Sequence, residues 1–307
     1  MLSARPMIQK TTSPLAWHLV ARAPSPQTPF SNRSRCVLVW NRMVRAFPQA
    51  AAAVLMPNHL HVLLWHDRTD PSLLLRMLRR CLCKTEWQPL PLPQSIPDIH
   101  QLKRQVRYIH LNPCRKGICN DPLQWEWSTH LDYLGLIAAP WPAPHGHLEK
   151  LGFYSKAQFH KYISADPTSA VTGTPLPREM TVPHYFDLEA LASAAALLLR
   201  IDVESLWRRG PHRAGFGALL TGPFRIPVRE VARALNLHPS SLSPRHRMIT
   251  EEELRQARAL VTILYDPRLR ALAERLARKP DKMSGLDSKI TVSEAQTRHF
   301  VGLDWNR

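Results

Sequence analysis

The stretch Met56–Trp65, with the sequence MPNHLHVLLW, decides the fold and holds the most informative side chains of the chain. It is an apolar run of the length of one strand, and a strand sends alternate side chains to opposite faces. His59 and His61 therefore share one face, and the leucines and valine that alternate with them share the other. Neighbouring imidazoles on a buried strand are costly without partners, and imidazole is a common metal ligand. The pair is either half of a metal site or an ordinary half-exposed pair.

A second segment, Arg107–Pro113 with the sequence RYIHLNP, favours the metal site. Tyr108 and Asn112 are spaced i, i+4, which places them on one face of a helix. Pro113 disfavours helical geometry at the residue before it, so Asn112 is expected at or near the end of that helix. His110 projects to another side of the helix and is the weaker candidate.

The two segments together resemble the REP-associated tyrosine transposases, which belong to the single-tyrosine nucleases with a His-hydrophobic-His motif. The matching pieces are VLMPNHLHVLLW and YIHLNPCRKGI, followed by DPLQWEWSTHLDYLG at 121–135. The opening strand and loop, WHLVARAPSPQTPFSN at 17–32, match more loosely. The resemblance covers residues 15–135.

This resemblance implies a role for each matching residue. His59 and His61 correspond to the metal histidines, Tyr108 to the nucleophile and Asn112 to the third metal ligand. The implied cation is Mg²⁺ or Mn²⁺, which oxygen and imidazole ligands suit. The implied reaction forms a covalent 5′-phosphotyrosine and a free 3′-OH on single-stranded DNA that folds into hairpins. A phenol needs such help because its unperturbed pKa is about 10, and a divalent metal polarises the scissile phosphate.

The charge balance indicates a polyanionic partner. The chain has 41 Lys and Arg against 24 Asp and Glu, and a pI near 10.3. Such an excess favours nucleic acid, although it also fits a merely solvated surface. No acidic residue falls between Asp98 and Asp121, around the proposed nucleophile. That interval supplies the predicted contacts to DNA phosphates: Lys103, Arg104, Arg107, Arg115 and Lys116.

Composition also bounds the class of protein. Hydrophobic residues make up 44% of the 307 residues, which is ordinary for a globular chain. No run is long and apolar enough for a membrane span, and the first residues contain no secretory signal. The five cysteines are an odd count at spacings that match no zinc motif, which favours free thiols in a reducing cytoplasm. The choice between monomer and homodimer stays open.

The predicted fold is α+β, with a ferredoxin-like antiparallel sheet, packed helices and an all-α C-terminal domain. The ferredoxin-like architecture is what the resemblance implies for the catalytic domain at 15–135. A proline-rich linker follows at 136–187, with one short helix near Lys156–Ile163. Apolar periodicity predicts helices within 188–279, and a polar tail occupies 280–307.

Within the C-terminal region, Arg225–Ile249 resembles a helix-turn-helix of the kind found in bacterial replication initiators. Val228, Val231, Ala232 and Leu235 would pack its first helix, and Pro244 would shorten or bend the second. A plain helical bundle is the alternative. If the motif binds duplex DNA, the residues expected to contact it are Ser240, Ser241, Arg245 and Arg247.

The sequence therefore favours a metal-dependent, single-strand DNA transposase or nickase-ligase. One alternative is a domesticated DNA-binding regulator that keeps the fold without turnover. Another is a replication or conjugation initiator endonuclease that uses the same chemistry.

Overall fold

An antiparallel sheet organises the first half of the chain. The computed structural model describes residues 13–65, 70–141, 148–165, 173–176, 187–242 and 249–278. The elements run β1 (Ala16–Arg22), α1 (Arg33–Ala46), β2 (Ala50–Met56), β3 (His59–Trp65), α2 (Pro71–Cys81) and β4 (Gln94–Ile96). The strands lie in the order β2-β3-β1-β4, and each neighbouring pair is antiparallel. This βαββαβ order is that of a ferredoxin-like sheet and confirms the predicted fold class.

The two faces of β3 are buried in different cores, as its alternating pattern predicts. Leu60, Val62 and Leu64 pack with the buried side chains of α1 and α2. Leu63 and Trp65 pack on the opposite face, with residues from α3 (Ile99–Arg115). His59 and His61 share the α3 face, because side chains two residues apart in a strand point the same way. The sheet thus presents both imidazoles to the helix that carries Tyr108.

Helix α3 does not end at the residue before its proline. It continues through Pro113 to Arg115, so Asn112 lies in its last turn. Pro113 lacks an N–H and cannot make the usual bond to the preceding turn. The backbone carbonyl of Asn112 nevertheless accepts a hydrogen bond from the Lys116 N–H at 3.1 Å. The proline therefore weakens the last turn without moving Asn112 off the face that Tyr108 occupies.

Helices dominate the rest of the described chain, as predicted for the C-terminal region. The longer elements are α4 (His130–Tyr133), α5 (Lys156–Ser164), α6 (Leu188–Leu199), α7 (Pro211–Thr221), α8 (Val228–Ala234), α9 (Glu251–Tyr265) and α10 (Pro267–Ala277). Thr250 and Glu253 form a capping box at the start of α9. Pro267 begins α10 directly after Asp266 ends α9. The helix predicted near Lys156–Ile163 is α5.

The proposed helix-turn-helix is only partly described. Its first helix is α8, and Asn236 adopts a left-handed φ of 50° at the predicted turn. Ser240 and Ser241 lie exposed in the 3₁₀ turn Pro239–Ser241. Arg245 and Arg247 lie outside the described residues. The motif therefore stays a prediction.

Arg200 anchors the C-terminal helices to the region that contains the sheet. This residue ends α6 in the left-handed conformation with φ 52°. Its buried guanidinium donates to both carboxylate oxygens of Asp132, at 2.7 and 3.1 Å, and to the Ser128 carbonyl at 3.0 Å. It also lies 4.6 Å from the ring centroid of Trp40. The surrounding apolar core runs from α3 into α6, α9 and α10 without a break.

Two further features concern the whole described chain. None of its described helices is both long and apolar enough to cross a membrane. All five cysteines are described, and each is a free thiol. Cys114 and Cys119 approach each other, with their sulfur atoms 3.6 Å apart.

We expect Arg200→Met to lower the free energy of unfolding by about 3–5 kcal/mol, because it leaves the Asp132 carboxylate buried without its counter-charge. Urea unfolding at neutral pH measures the difference. The control is Arg270→Met, which removes an exposed pair with Glu274 and should change stability by less than about 1 kcal/mol. A loss of under about 1 kcal/mol for the Arg200 variant contradicts the anchoring role.

Candidate active site

The two strand histidines are buried and lie close together. His59 and His61 are each 4% exposed, and their ring centroids are 5.1 Å apart. The Nδ1–H of His59 donates to the side-chain oxygen of Asn58 at 2.7 Å. Asn58 lies in the tight turn between β2 and β3, so the turn itself orients this ring. The contact leaves Nε2 of His59 as its acceptor nitrogen, because a neutral imidazole carries one proton.

His61 connects the sheet to helix α3. Its Nε2 lies 3.1 Å from the side-chain nitrogen of Asn112, although 51 positions separate the two residues. Asn112 is 4% exposed. The other ring nitrogen of His61 lies 2.9 Å from Nε2 of His18 on β1. The three side chains expected to hold a cation are therefore brought together in this structure.

Tyr108 lies beside this group and remains accessible. Its ring centroid is 5.7 Å from that of His61 and 6.5 Å from that of His18, both edge-on. The residue is 37% exposed, so it remains open to solvent. The guanidinium of Arg115 lies 5.3 Å from the Tyr108 ring centroid. All of these residues belong to one chain.

His110 takes no part in the site, as its position on α3 predicts. It is fully buried, and its Nε2 lies 2.9 Å from the Thr129 hydroxyl. Its ring packs among aromatic side chains, including Tyr133 and Phe159. It is a core residue.

Burial keeps the site imidazoles neutral. Desolvation, together with the charges of Arg22 and Lys116, lowers the pKa of His59 to about 3. Desolvation also lowers the pKa of His18 to about 4 and that of His61 well below its ordinary value. Neutral imidazoles hold a lone pair for a cation near pH 7. Arg22 and Lys116 place positive charge close to His59.

The donor set fits a hard or borderline divalent cation. Among the described residues, no group of three or more His, Cys, Asp or Glu side chains could hold a metal ion. Here the third donor would be the Asn112 amide, whose oxygen faces the histidines after a half-turn of the side chain. Two imidazole nitrogens and an amide oxygen suit Mn²⁺ or Mg²⁺ and leave coordination positions open for substrate.

The predicted basic residues divide into two groups. Lys103 Nζ lies 5.0 Å from the Phe153 ring centroid, and the Arg107 guanidinium lies 4.1 Å from that of Tyr162. These two side chains pack against the segment around α5. Arg104, Arg115 and Lys116 are exposed, and the last two lie three and four residues after Asn112. The second group is the better placed to hold a phosphate near Tyr108.

Sequence reasoning missed several residues of the site. His18 and Gln105 contact each other at 3.0 Å, and Arg22 pairs with His59 across β1 and β3. His18 and Arg22 lie in the first strand, whose match to the motif pattern is loose. Their neighbours depend on the register between β1 and β3, which the sequence does not specify. Asn58, by contrast, adjoins His59 in the quoted motif and offered a usable signal.

Comparisons with known proteins give little support for a family assignment. No protein family model matches the chain, and no curated protein matches it. A solved structure of a REP-associated tyrosine transposase bound to a REP hairpin is similar to part of it, at 18% identity and a TM-score of 0.33. The match covers 42% of this chain and 82% of the other. At this identity and TM-score, the likeness carries no argument about function.

We expect the wild-type chain to bind Mn²⁺ and His59→Ala to weaken that binding by at least about tenfold, since even loss of a supporting partner costs about that much. Asn112→Leu should weaken it similarly, whereas Asn112→Asp should retain it because a carboxylate oxygen is a good ligand. Electron paramagnetic resonance of free Mn²⁺ measures the affinity. The control is His100→Ala, which changes an exposed histidine at the start of α3. Equal affinities for all variants contradict this assignment of ligands.

Proposed function

We propose that this chain is a metal-dependent transposase or nickase-ligase for single-stranded DNA that folds into hairpins, with Tyr108 as its nucleophile. One observation carries the proposal. An accessible phenol lies beside the buried, neutral imidazole of His61, and its own helix supplies the amide that contacts that ring. Direct displacement at a phosphodiester needs a nucleophile, aligned groups and charge neutralisation. Tyr108 offers the nucleophile, and a cation held by His59, His61 and Asn112 would neutralise charge.

The proposed reaction is the one that the resemblance to tyrosine transposases implies. The Tyr108 oxygen forms a bond to phosphorus, and its proton passes to solvent. The bond from phosphorus to the 3′ oxygen breaks, and that oxygen leaves as a 3′-OH after gaining a proton. The products are a 5′-phosphotyrosine and a free 3′ end. The reverse attack by a 3′-OH rejoins the strand without ATP, because the phosphotyrosine conserves the bond energy.

His59, His61 and Asn112 would hold Mg²⁺ or Mn²⁺. When bound, the cation polarises the scissile phosphate and neutralises charge that develops on the leaving oxygen. Asn58 holds the His59 ring in place through its 2.7 Å hydrogen bond. Arg22 and Lys116 would hold the phosphate in register, in the way that basic side chains position a nucleic-acid backbone.

The exposure of Tyr108 favours turnover over mere DNA binding. Tyr108 lies edge-on to His61 and His18 and is still 37% exposed, so its position suits attack on a phosphate held beside these imidazoles. A regulator that only binds DNA needs the basic surface, but it does not need Tyr108 next to the histidines and Asn112. An initiator endonuclease would use the same residues, so the geometry does not separate it from a transposase. We also propose that the DNA substrate folds into hairpins and that the C-terminal region binds duplex DNA.

We expect Tyr108→Phe to abolish covalent attachment to labelled hairpin DNA in Mn²⁺ while it changes DNA affinity by less than about threefold, because backbone charge contacts dominate affinity. Denaturing gels detect the adduct, and a filter assay measures affinity. The matched control is Tyr154→Phe, which changes a tyrosine that is 89% exposed and should leave the adduct intact.

Two results would contradict the proposal. An adduct that persists in Tyr108→Phe would move the nucleophile elsewhere. Wild-type protein that binds the hairpin tightly, retains Mn²⁺ and forms no adduct would instead indicate a binding protein without turnover. Peptide mapping of the adduct identifies the attached residue in the first case.

A further inference from the structure

His18 is a buried histidine that the proposed chemistry does not use directly. It is 7% exposed and lies on β1 beside the candidate cation site. Its Nε2 lies 2.9 Å from Nδ1 of His61. The two ring centroids are 5.1 Å apart with an interplanar angle of only 16°. The nitrogens are much closer than the centroids, so the rings meet edge to edge, which is the geometry of an N–H···N hydrogen bond.

The fold itself creates this contact. In the antiparallel register of β1 with β3, the strand partner of His61 is Val20 and that of His18 is Leu63. His18 and His61 are therefore diagonal neighbours on one face of the sheet, within reach of long side chains. On its other side, His18 pairs directly with Gln94 of β4. Helix α3 covers the same face and contributes Gln105, one turn before Tyr108.

The shared hydrogen bond allows only two arrangements of protons. A neutral imidazole has one N–H and one acceptor nitrogen. If His61 donates through Nδ1, its Nε2 keeps a lone pair directed toward Asn112. If His18 donates through Nε2, the proton of His61 must lie on Nε2, and that nitrogen cannot bind a cation.

The first arrangement is the one that Gln94 and Asn112 favour. In that state His18 carries its proton on Nδ1 and needs an acceptor there. Gln94 Oε1 lies 3.4 Å from this nitrogen and can accept from it. The Gln105 amide nitrogen lies 3.0 Å from it and is a donor, so the Gln105 amide has to turn over before it can accept there. Either amide can present its oxygen, since rotation exchanges its oxygen and nitrogen positions. The Asn112 side-chain nitrogen, 3.1 Å from His61 Nε2, donates to a lone pair there and so agrees with the same state.

We propose that His18 is a positioning residue that fixes the tautomer of His61 and leaves His61 Nε2 as the cation-binding nitrogen. The inference rests on the proposed cation site. Asn58 has the same role for His59, because its side-chain oxygen accepts a hydrogen bond from the Nδ1–H of that ring. Each site histidine is thereby held through Nδ1 and offers Nε2. Such outer hydrogen-bond partners orient metal-binding histidines and tune their affinity.

The test compares His18→Leu, which cannot accept a hydrogen bond, with His18→Gln, whose side-chain oxygen can accept one. We expect His18→Leu to weaken Mn²⁺ binding of the full chain by about 10- to 100-fold, and His18→Gln to recover most of that loss. Long-range ¹H–¹⁵N spectra of the metal-free wild type should show His61 protonated at Nδ1. The His18→Leu spectrum should show protonation at Nε2. The exposed-site control, His100→Leu, should change neither measurement.

A double variant tests the same inference in case His18→Leu does not fold. Gln94→Leu with Gln105→Leu keeps every histidine and should also shift the His61 proton and weaken Mn²⁺ binding. The inference is overturned if wild-type His61 carries its proton on Nε2, or if a folded His18→Leu protein binds Mn²⁺ as tightly as wild type. Wild type that shows the expected tautomer and Mn²⁺ affinity but forms no DNA adduct supports the inference and refutes only the proposed reaction.

Discussion

The contact between His61 on β3 and Asn112 on α3 is the interaction on which the rest of the structure depends. It joins two elements that are distant in sequence and fixes how the helix lies across the sheet. Because Tyr108 is one helical turn before Asn112, the same contact sets the distance from the phenol to the imidazoles. If α3 rotated on the sheet, the apolar contacts of Leu102 and Val106 and the convergence of the site would be lost together.

Buried imidazoles alone do not define a site in this protein. His110, His130 and His160 form a second buried group, in which His130 Nε2 lies 3.0 Å from His160 Nδ1. Burial lowers the pKa of each of these histidines as well. Their surroundings are aromatic core residues such as Phe159. The candidate active site differs because an amide, an accessible phenol and basic side chains lie next to its imidazoles.

The parts of the fold that were predictable are those governed by local periodicity. The alternation in Met56–Trp65 predicts both faces of β3, and the i, i+4 spacing predicts that Tyr108 and Asn112 share a face. The capping box at Thr250 predicts the start of α9. Each of these patterns involves residues close in sequence, so it is visible without knowledge of the tertiary structure.

The parts that were not predictable depend on tertiary packing. Pro113 places Asn112 near the end of α3, as the structure has it, but not the two further residues by which the helix continues to Arg115. His18 gains its role only from the register of β1 with β3. Arg200 reads as a surface residue at a helix end, but the left-handed backbone there directs it to buried Asp132. The distance between Tyr108 and His61 likewise follows from how the helix packs on the sheet.

The most direct test is a crystal structure of the chain soaked in Mn²⁺, with anomalous scattering used to locate the ion. It asks whether His59, His61 and Asn112 bind one cation beside Tyr108. The account predicts one anomalous peak bonded to Nε2 of His59, Nε2 of His61 and the side-chain oxygen of Asn112, with the Tyr108 hydroxyl facing the same space. A well-ordered site without a peak, or a peak held by other residues, would contradict it.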